Sequence, residues 1–489
     1  MAGAGTAPQV TACDVATRLI EASAIYAAAN FAVKALNFLL LPLYAYFLSP
    51  AEYGVVSLAE TIAIVAGIAA GLGLPAGMQR LYFQYAERPE ELGRYLGSVL
   101  RFGFGFALAL LALVFAVAPS AMAHLFPQPE VPFYPCLALA VTTAATAQLL
   151  DYRLVLYQME GKAKPFSALL VGYFTFAAVC SVALVAGVQG GSTGLLLGRM
   201  FGALGAATTA GLLLRRWFTC GWNWRYVRET LGLGLPLVPH YLMAAGLVAA
   251  DRLVLARYRP LDEIGTYSLA YSLGMAMAVI TTSLMQAYSP IFFDTARNER
   301  DGRRVLARTS MAVMTVIAVI GAAGVLASPV FVDFCLDRRY AAAARLIPWV
   351  IGGYVLHGMF SLLHLAVLQA KRPGFVLCAS GVACVTNIGL NLLLAPHWGM
   401  WGAAWATTAA YAIEATVMYL LAQRVFALPW RRRQLGAALA MFGCALAATQ
   451  MLQPAMLAVG AAICGVASWW LLRGDMGQVV RMLRGKAVA

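Results

Sequence analysis

Charge is what this sequence has least of. Asp, Glu, Lys and Arg make up only 11% of its 489 residues, while 62% are apolar. Soluble domains carry about 25% charged residues, so no water-soluble surface can be assembled from this composition. That scarcity excludes a soluble enzyme, a secreted scaffold and a disordered chain, and it overrides the three domains that length alone suggests. No GxxxxGK[ST] run occurs to cradle ATP phosphates, which excludes pumping by an ATPase of its own. The nine cysteines (Cys13, Cys136, Cys180, Cys220, Cys335, Cys378, Cys384, Cys444 and Cys464) stand singly, with no CxxC. They read as small buried hydrophobes rather than a disulfide framework or metal site, and no cofactor is expected. Residues 1–20 lack the apolar core and cleavage site of a signal peptide, so the first apolar run reads as a retained span. What is present is apolar sequence in long runs, the mark of an all-α polytopic membrane protein.

Runs near or beyond 18 apolar residues are transmembrane candidates. They fall at about 22–47, 53–79, 96–118, 133–157, 165–187 and 192–214, then at about 230–256, 263–290, 306–330, 342–369, 374–395 and 400–423. Two more, at about 434–452 and 454–472, bring the number to fourteen. Predicted boundaries follow: a cytoplasmic segment 1–21, a first lobe 22–214, a cytoplasmic linker 215–229, a second lobe 230–424, two further spans within 425–472, and a cytoplasmic tail 473–489. The net charge of +14 tests this threading, because Lys and Arg collect on the cytoplasmic side. With the N-terminus inside, 26 of the 35 basic residues fall in inside segments and only five (Arg257, Arg259, Arg338, Arg339 and Arg345) fall outside. Both termini are therefore expected to be cytoplasmic. Trp217, Trp222 and Trp224 beside Arg215, Arg216 and Arg225 suit the headgroup level of membrane lipids and not nucleic acid.

The chain resembles itself at an offset near 211. Ala51 to Ala59 faces Asp262 to Ala270, with Glu52/Glu263, Gly54/Gly265, Ser57/Ser268, Leu58/Leu269 and Ala59/Ala270 identical. Gly93-Arg94 faces Gly302-Arg303, and Lys164-Pro165 faces Arg372-Pro373. The persuasive matches lie in loops and keep their order. Each copy holds six spans, so both enter the membrane from the same side, a recurrent transporter plan with the substrate path between the halves.

A charge at the bilayer centre costs a few kcal/mol, so each one within a span calls for a reason. Lys34 lies near the middle of span 1 and Glu414 near the middle of span 12; these two are the hardest to excuse. Arg199 and Glu60 sit about two turns in from the outer surface, Asp251 and Arg252 about a turn from the outer end of span 7, Asp151 and Arg153 toward the inner end of span 4, and Arg80 at the inner end of span 2. Arginines at such depths can also snorkel. Pro42, Pro75, Pro236, Pro239 and Pro290 are expected to break helices at depth, span 7 above all. His240 next to that break is a candidate for proton coupling or a packing histidine. His357 and His364, seven apart, share a helix face. No carboxylate or Cys stands at ligand spacing, which speaks against a metal site.

Asn30-Phe31-Ala32-Val33-Lys34-Ala35-Leu36-Asn37-Phe38, followed by Leu48-Ser49-Pro50-Ala51-Glu52-Tyr53-Gly54, resembles the start of bacterial polysaccharide transporters, the Wzx-type flippases of the multidrug/oligosaccharidyl-lipid/polysaccharide (MOP) exporter superfamily. Gly71 to Tyr82, Leu235-Pro236-Leu237, Asp251-Arg252-Leu253-Val254-Leu255 and Ile264 to Tyr271 continue the likeness. The resemblance implies two six-helix lobes forming a V around a cationic cavity, with two extra C-terminal helices. It also implies a bacterial inner-membrane protein that is not an enzyme. The cargo would be an undecaprenyl-pyrophosphate-linked oligosaccharide, and a polysaccharide polymerase and glycosyltransferases would be partners. Lys34, with Arg199, Arg80 and Arg252, would hold the pyrophosphate; Glu414, Asp251, Glu60 and His240 are candidates for ion coupling or structural pairing. A drug/cation antiporter of the same superfamily and an integral-membrane polymerase or transferase are the competing readings.

Overall fold

A computed structural model of the chain describes residues 12–125, 133–298, 302–429, 432–451 and 454–472. The predicted tail 473–489 and most of the predicted N-terminal segment lie outside these residues. Among the described residues every regular element is helical. Physical necessity explains this, since lipid offers no hydrogen bonds and a span must satisfy its own backbone.

In chain order the helices are α1 (Ala12–Phe47), α2 (Pro50–Gly71), α3 (Leu74–Tyr85), α4 (Pro89–Leu125), α5 (Ala138–Met159) and α6 (Ala163–Val182). Then come α7 (Gly191–Phe218), α8 (Trp224–Gly234), α9 (Val238–Tyr258), α10 (Leu261–Gly274) and α11 (Ala276–Asn298). The series closes with α12 (Gly302–Cys335), α13 (Ala343–Gln369), α14 (Gly374–Val425), α15 (Arg432–Met451) and α16 (Pro454–Leu472). Eleven stretches of the described residues are long and apolar enough to cross a membrane. One of them, α14, has 52 residues, more than twice the roughly 20 that a span needs. It breaks at Gly399, whose φ of 55° and ψ of −132° suit a residue without a Cβ. That turn separates the two predicted spans 374–395 and 400–423. With α15 and α16, both shorter in their apolar stretches, the helical segments reach the expected fourteen.

The prolines behave differently from expectation. Helices break at Leu72-Gly73, where both residues have positive φ just before Pro75, and at the 3₁₀ turn Leu235–Leu237 around Pro236. Pro42 and Pro290, by contrast, lie inside continuous α1 and α11, and Pro239 sits in the first turn of α9. An internal proline removes one hydrogen bond and bends the axis, and a long apolar run retains the others. For the same reason α4 continues through Pro119 to Leu125, past the predicted end of that span at about 118.

The chain divides into two compact units, one of residues 1–40 and 62–242, the other of residues 41–61 and 243–489. In the first unit α6 and α7 approach through small residues: a Cβ on Gly198 would overlap the Ser181 backbone, and one on Gly202 would overlap Ala177. Close backbone approach of this kind is how helices associate where no hydrophobic force drives them together. Gly73 and Gly234 likewise press α3 and α8 backbone to backbone. Beside them Tyr85, Tyr95 and Tyr226 form an aromatic cluster, and the Tyr85 hydroxyl donates to Glu229 Oε2 at 2.5 Å. At the end of α5, buried Arg153 pairs with Glu160 at 3.3 Å and lies over the Tyr157 ring. Burial pushes the Glu160 carboxyl up, but hydrogen bonds and charge from Lys162 and Arg153 outweigh it and hold the group below the usual carboxylate range.

In the second unit the start of α2 packs on α10 through matching residues. A Cβ on Gly54 would overlap the Leu261 carbonyl, and one on Gly265 would overlap the Pro50 carbonyl. Between them Ser57 Oγ donates to Ser268 Oγ at 2.6 Å. Each residue therefore meets its counterpart in the other repeat. Because the obstacles are backbone atoms that cannot swing aside, Gly265→Ala is expected to destabilise the protein by about 1–3 kcal/mol, the usual cost of overpacking. Gly211→Ala is the control: nothing lies within 4 Å of a Cβ there, and alanine in a helix interior stabilises by about 0.5–1 kcal/mol. Thermal unfolding of the two variants in one detergent checks the contrast; equal midpoints would contradict the packing.

Candidate functional site

Lys34 extends from α1 in the first unit, exposed and with no hydrogen-bond or ion-pair partner among the described residues. Two turns earlier on the same helix, Tyr26 meets Phe166 edge-on at 4.9 Å and the Ile25 carbonyl accepts from Ser167 Oγ at 3.4 Å. An ammonium in mid-span without a protein partner must face water or an anion, since hydrocarbon would cost it a few kcal/mol. Arg80 on α3 and His240 on α9 are also exposed, and Arg199 on α7 is half-buried. Asp151 is exposed on α5. All of these belong to the first unit.

The second unit holds Glu60, half-buried on α2, and the buried charges Asp251, Arg252 and Glu414. Arg252 is committed within the unit. Its Nε donates to Ser57 Oγ at 3.0 Å and Ser268 Oγ at 3.3 Å, and its Nη1 donates to the Val248 carbonyl at 2.7 Å. The guanidinium lies 4.6 Å from the Tyr271 ring centroid and 3.5 Å from Asp251. Asp251 also accepts a hydrogen bond from the Tyr267 hydroxyl. Further along, the Tyr354 hydroxyl donates to the Tyr271 hydroxyl at 3.1 Å, and the Tyr354 and Tyr411 rings stand 5.7 Å apart. Tyr411 meets the His357 ring at 5.1 Å. His357 Nδ1 lies 2.9 Å from Glu414 Oε2, and Ser380 Oγ donates to Glu414 Oε1 at 2.9 Å. A seam of polar contacts thus runs from the Ser57–Ser268 contact to Glu414.

His357 and His364 do share a face, with Phe360 stacked against both. Among the described residues no three His, Cys, Asp or Glu side chains gather as a metal site would require. The unexpected feature is that His357 does have a carboxylate partner, 57 residues away on another helix. The tyrosines, Ser380 and the Glu414 pairing were missed because Tyr counts as apolar in composition and partners on separate helices leave no local spacing. One signal was available: Tyr267/Tyr271, Tyr354/His357 and Tyr411/Glu414 stand three or four apart, each pair on a single helix face.

The chain as a whole is similar to known proteins. Residues 19–296 match the family described as polysaccharide biosynthesis protein. The Lipid III flippase of Escherichia coli (strain K12) is 25% identical over 433 residues, 85% of this chain and 99% of that protein. The Lipid III flippase of Shigella flexneri matches with the same figures. Among solved structures, the Lipid II flippase MurJ in an inward closed conformation covers 92% of this chain and 99% of its own, with a TM-score of 0.72 and 14% identity. An inward-facing multidrug resistance MATE family transporter of the MOP superfamily covers 80% of this chain and 94% of its own, with a TM-score of 0.60 and 14% identity. These likenesses give the fold of a multi-pass MOP-type transporter. The family match spans more than half of the sequence and includes Lys34, helix α2 and the first half of the polar seam: the chain belongs to the polysaccharide biosynthesis protein family.

Proposed function

We propose that this protein is a flippase. It moves an undecaprenyl-pyrophosphate-linked oligosaccharide, a repeat unit of O-antigen, capsule or exopolysaccharide, from the inner to the outer leaflet of the bacterial plasma membrane by alternating access. Both termini are cytoplasmic in this reading, and glycosyltransferases and a polysaccharide polymerase act before and after it. The observation that carries it is Lys34, a charged side chain deep in α1, exposed and without a partner among the described residues. A compact ammonium in that setting suits a pyrophosphate that must be desolvated to cross. Arg80 and Arg199 add to the positive field of the first unit, whereas Arg252 acts by holding α2 and α10 together. The Lipid III flippase relatives support the choice of a lipid-linked cargo.

The rival reading, drug/cation antiport, takes its support from the carboxylates Asp251 and Glu414 in the second unit and from the MATE-type fold. One reconstitution separates the two. In liposomes carrying undecaprenyl-pyrophosphate-linked oligosaccharide in the inner leaflet, the purified protein is expected to expose the sugar to an external lectin, and to leave the efflux of a cationic dye unchanged. Dye efflux without sugar exposure would reverse the assignment.

A further inference from the structure

The first unit carries a feature that moving a cargo does not use, at the corner where α7 turns into α8. Leu212 and Leu213 on α7 are exposed, an apolar edge that suits lipid tails. One turn later, on the same side of the helix, stand Arg215 and Arg216, both exposed. Trp222 and Trp224 follow in the linker and the first turn of α8, their side chains 51% and 52% exposed. Apolar edge, arginines and indoles succeed one another in the order in which a span leaves a bilayer. Charge at the corner is one-sided. Residues 215–234 hold four arginines and a single carboxylate, Glu229, which Arg225 Nε and the Tyr85 hydroxyl already occupy at 2.7 and 2.5 Å. Among the described residues Arg215, Arg216 and Arg228 are left without an ion pair, and Arg216 lies 4.3 Å from the Trp217 ring centroid. The corner is also firmly built. The Asn223 backbone N–H donates to Ser98 Oγ at 2.9 Å, and its side chain caps α8 by accepting from the Arg225 N–H at 3.0 Å. Arg101 donates to the Gly97 and Cys220 carbonyls and stands 5.6 Å from the Trp222 ring centroid. On the opposite face of α8, Tyr226, Val227 and Thr230 are buried. Two large rings are therefore held outward by a docked helix, beside unpaired positive charge.

We propose that this corner binds the headgroup of an anionic phospholipid of the surrounding bilayer. The lipid phosphate meets Arg215 and Arg216, its acyl chains lie along Leu212 and Leu213, and Trp222 and Trp224 set the depth of the headgroup. Arg228 adds to the field, and Arg101 acts by holding the corner in shape. The occupant follows from where the corner is. It joins two spans and cannot leave the membrane surface, where arginines clustered beside a span attract anionic lipid. A soluble acidic partner would leave the two leucines and the two indoles without a use. The proposal is independent of the flippase reading.

Indole fluorescence tests it. Full-length protein is placed in nanodiscs of phosphatidylcholine, and a small share of the lipid is replaced by phosphatidylglycerol with brominated tails or, in parallel, by brominated phosphatidylcholine. Bromine quenches nearby tryptophan, and the signal of the corner is the part lost in Trp222→Phe/Trp224→Phe. That part is expected to be quenched at a much lower share of brominated phosphatidylglycerol than of brominated phosphatidylcholine. Arg215→Gln/Arg216→Gln should lower the preference by about fivefold for each arginine removed, and Arg215→Lys/Arg216→Lys should keep most of it. Arg304→Gln/Arg308→Gln removes two exposed arginines from α12 and should leave the preference unchanged. Equal quenching by the two brominated lipids would overturn the proposal. So would an equal loss in the α12 variant, which would reduce the effect to diffuse surface charge. Displacement of brominated phosphatidylglycerol by an equal share of undecaprenyl pyrophosphate would give the corner to the cargo and overturn the assignment to bilayer lipid. Should the glutamine pair fail to insert, the comparison of the two lipids on wild type still decides.

Discussion

Lys34→Ala is expected to abolish most polysaccharide export, by about 10- to 100-fold, in a protein that inserts and melts like wild type. The size follows from the chemistry: a hydrogen bond to a charged group contributes about 1.5–3 kcal/mol, and each 1.4 kcal/mol is tenfold in rate or affinity. The intact stability follows from the structure, because Lys34 is exposed and gives up no partner among the described residues. Lys34→Met keeps the apolar stem and should fail equally, whereas Lys34→Arg should recover part of the activity through charge alone. Export in a deletion strain, read as surface polysaccharide per unit of membrane-inserted protein, measures all three. Near-normal export from Lys34→Ala would remove the anchor from the proposed function.

Asp251→Ala should produce the opposite pattern, a protein lost before it can be assayed. Asp251 is 1% exposed and stands against Arg252, itself 8% exposed. Removing one member of a buried pair leaves the other uncompensated, at a cost of about 3–5 kcal/mol, which is a large share of the roughly 5–15 kcal/mol that holds a protein folded. The double substitution Asp251→Ala/Arg252→Met removes both charges and should recover more than half of that loss, since apolar replacements of buried pairs are often neutral. Recovery will be incomplete because Arg252 also donates to Ser57, Ser268 and Val248. Thermal midpoints of wild type, both single variants and the double variant close the cycle. An Asp251→Ala protein as stable as wild type would show that the pair holds nothing together.

The difference between these two residues shows how far the sequence could be read. Helix after helix is legible because lipid leaves the backbone no alternative, and the turn at Gly399 falls in the gap between two predicted spans. Charges within the spans were also legible as anomalies: Lys34, Asp251, Arg252 and Glu414 are all conspicuous against so apolar a background. Their company was not. Lys34 and Arg252 look alike in the sequence, yet one is exposed and the other is enclosed by two serines, a tyrosine ring and an aspartate. The partner of Glu414 could not be foreseen because His357 lies 57 residues away and pairs through packing, not periodicity. Proline positions misled for a related reason. Whether a proline breaks a helix depends on its neighbours, and Gly73 with Pro75 does what Pro42 alone does not.

The contact between Ser57 and Ser268 spans 211 residues, the offset of the internal repeat, and Gly54 faces Gly265 in the same way. A single copy of the repeat would leave this strip of small residues bare, and a second identical copy is the partner that fits it. Arg252 grips the serines from one side, while its counterpart, 211 residues earlier, is Leu41. The contact itself is symmetric in the repeat, but the polar groups that grip it belong to one side, since Asp251, Arg252 and Tyr267 have Leu40, Leu41 and Val56 as counterparts.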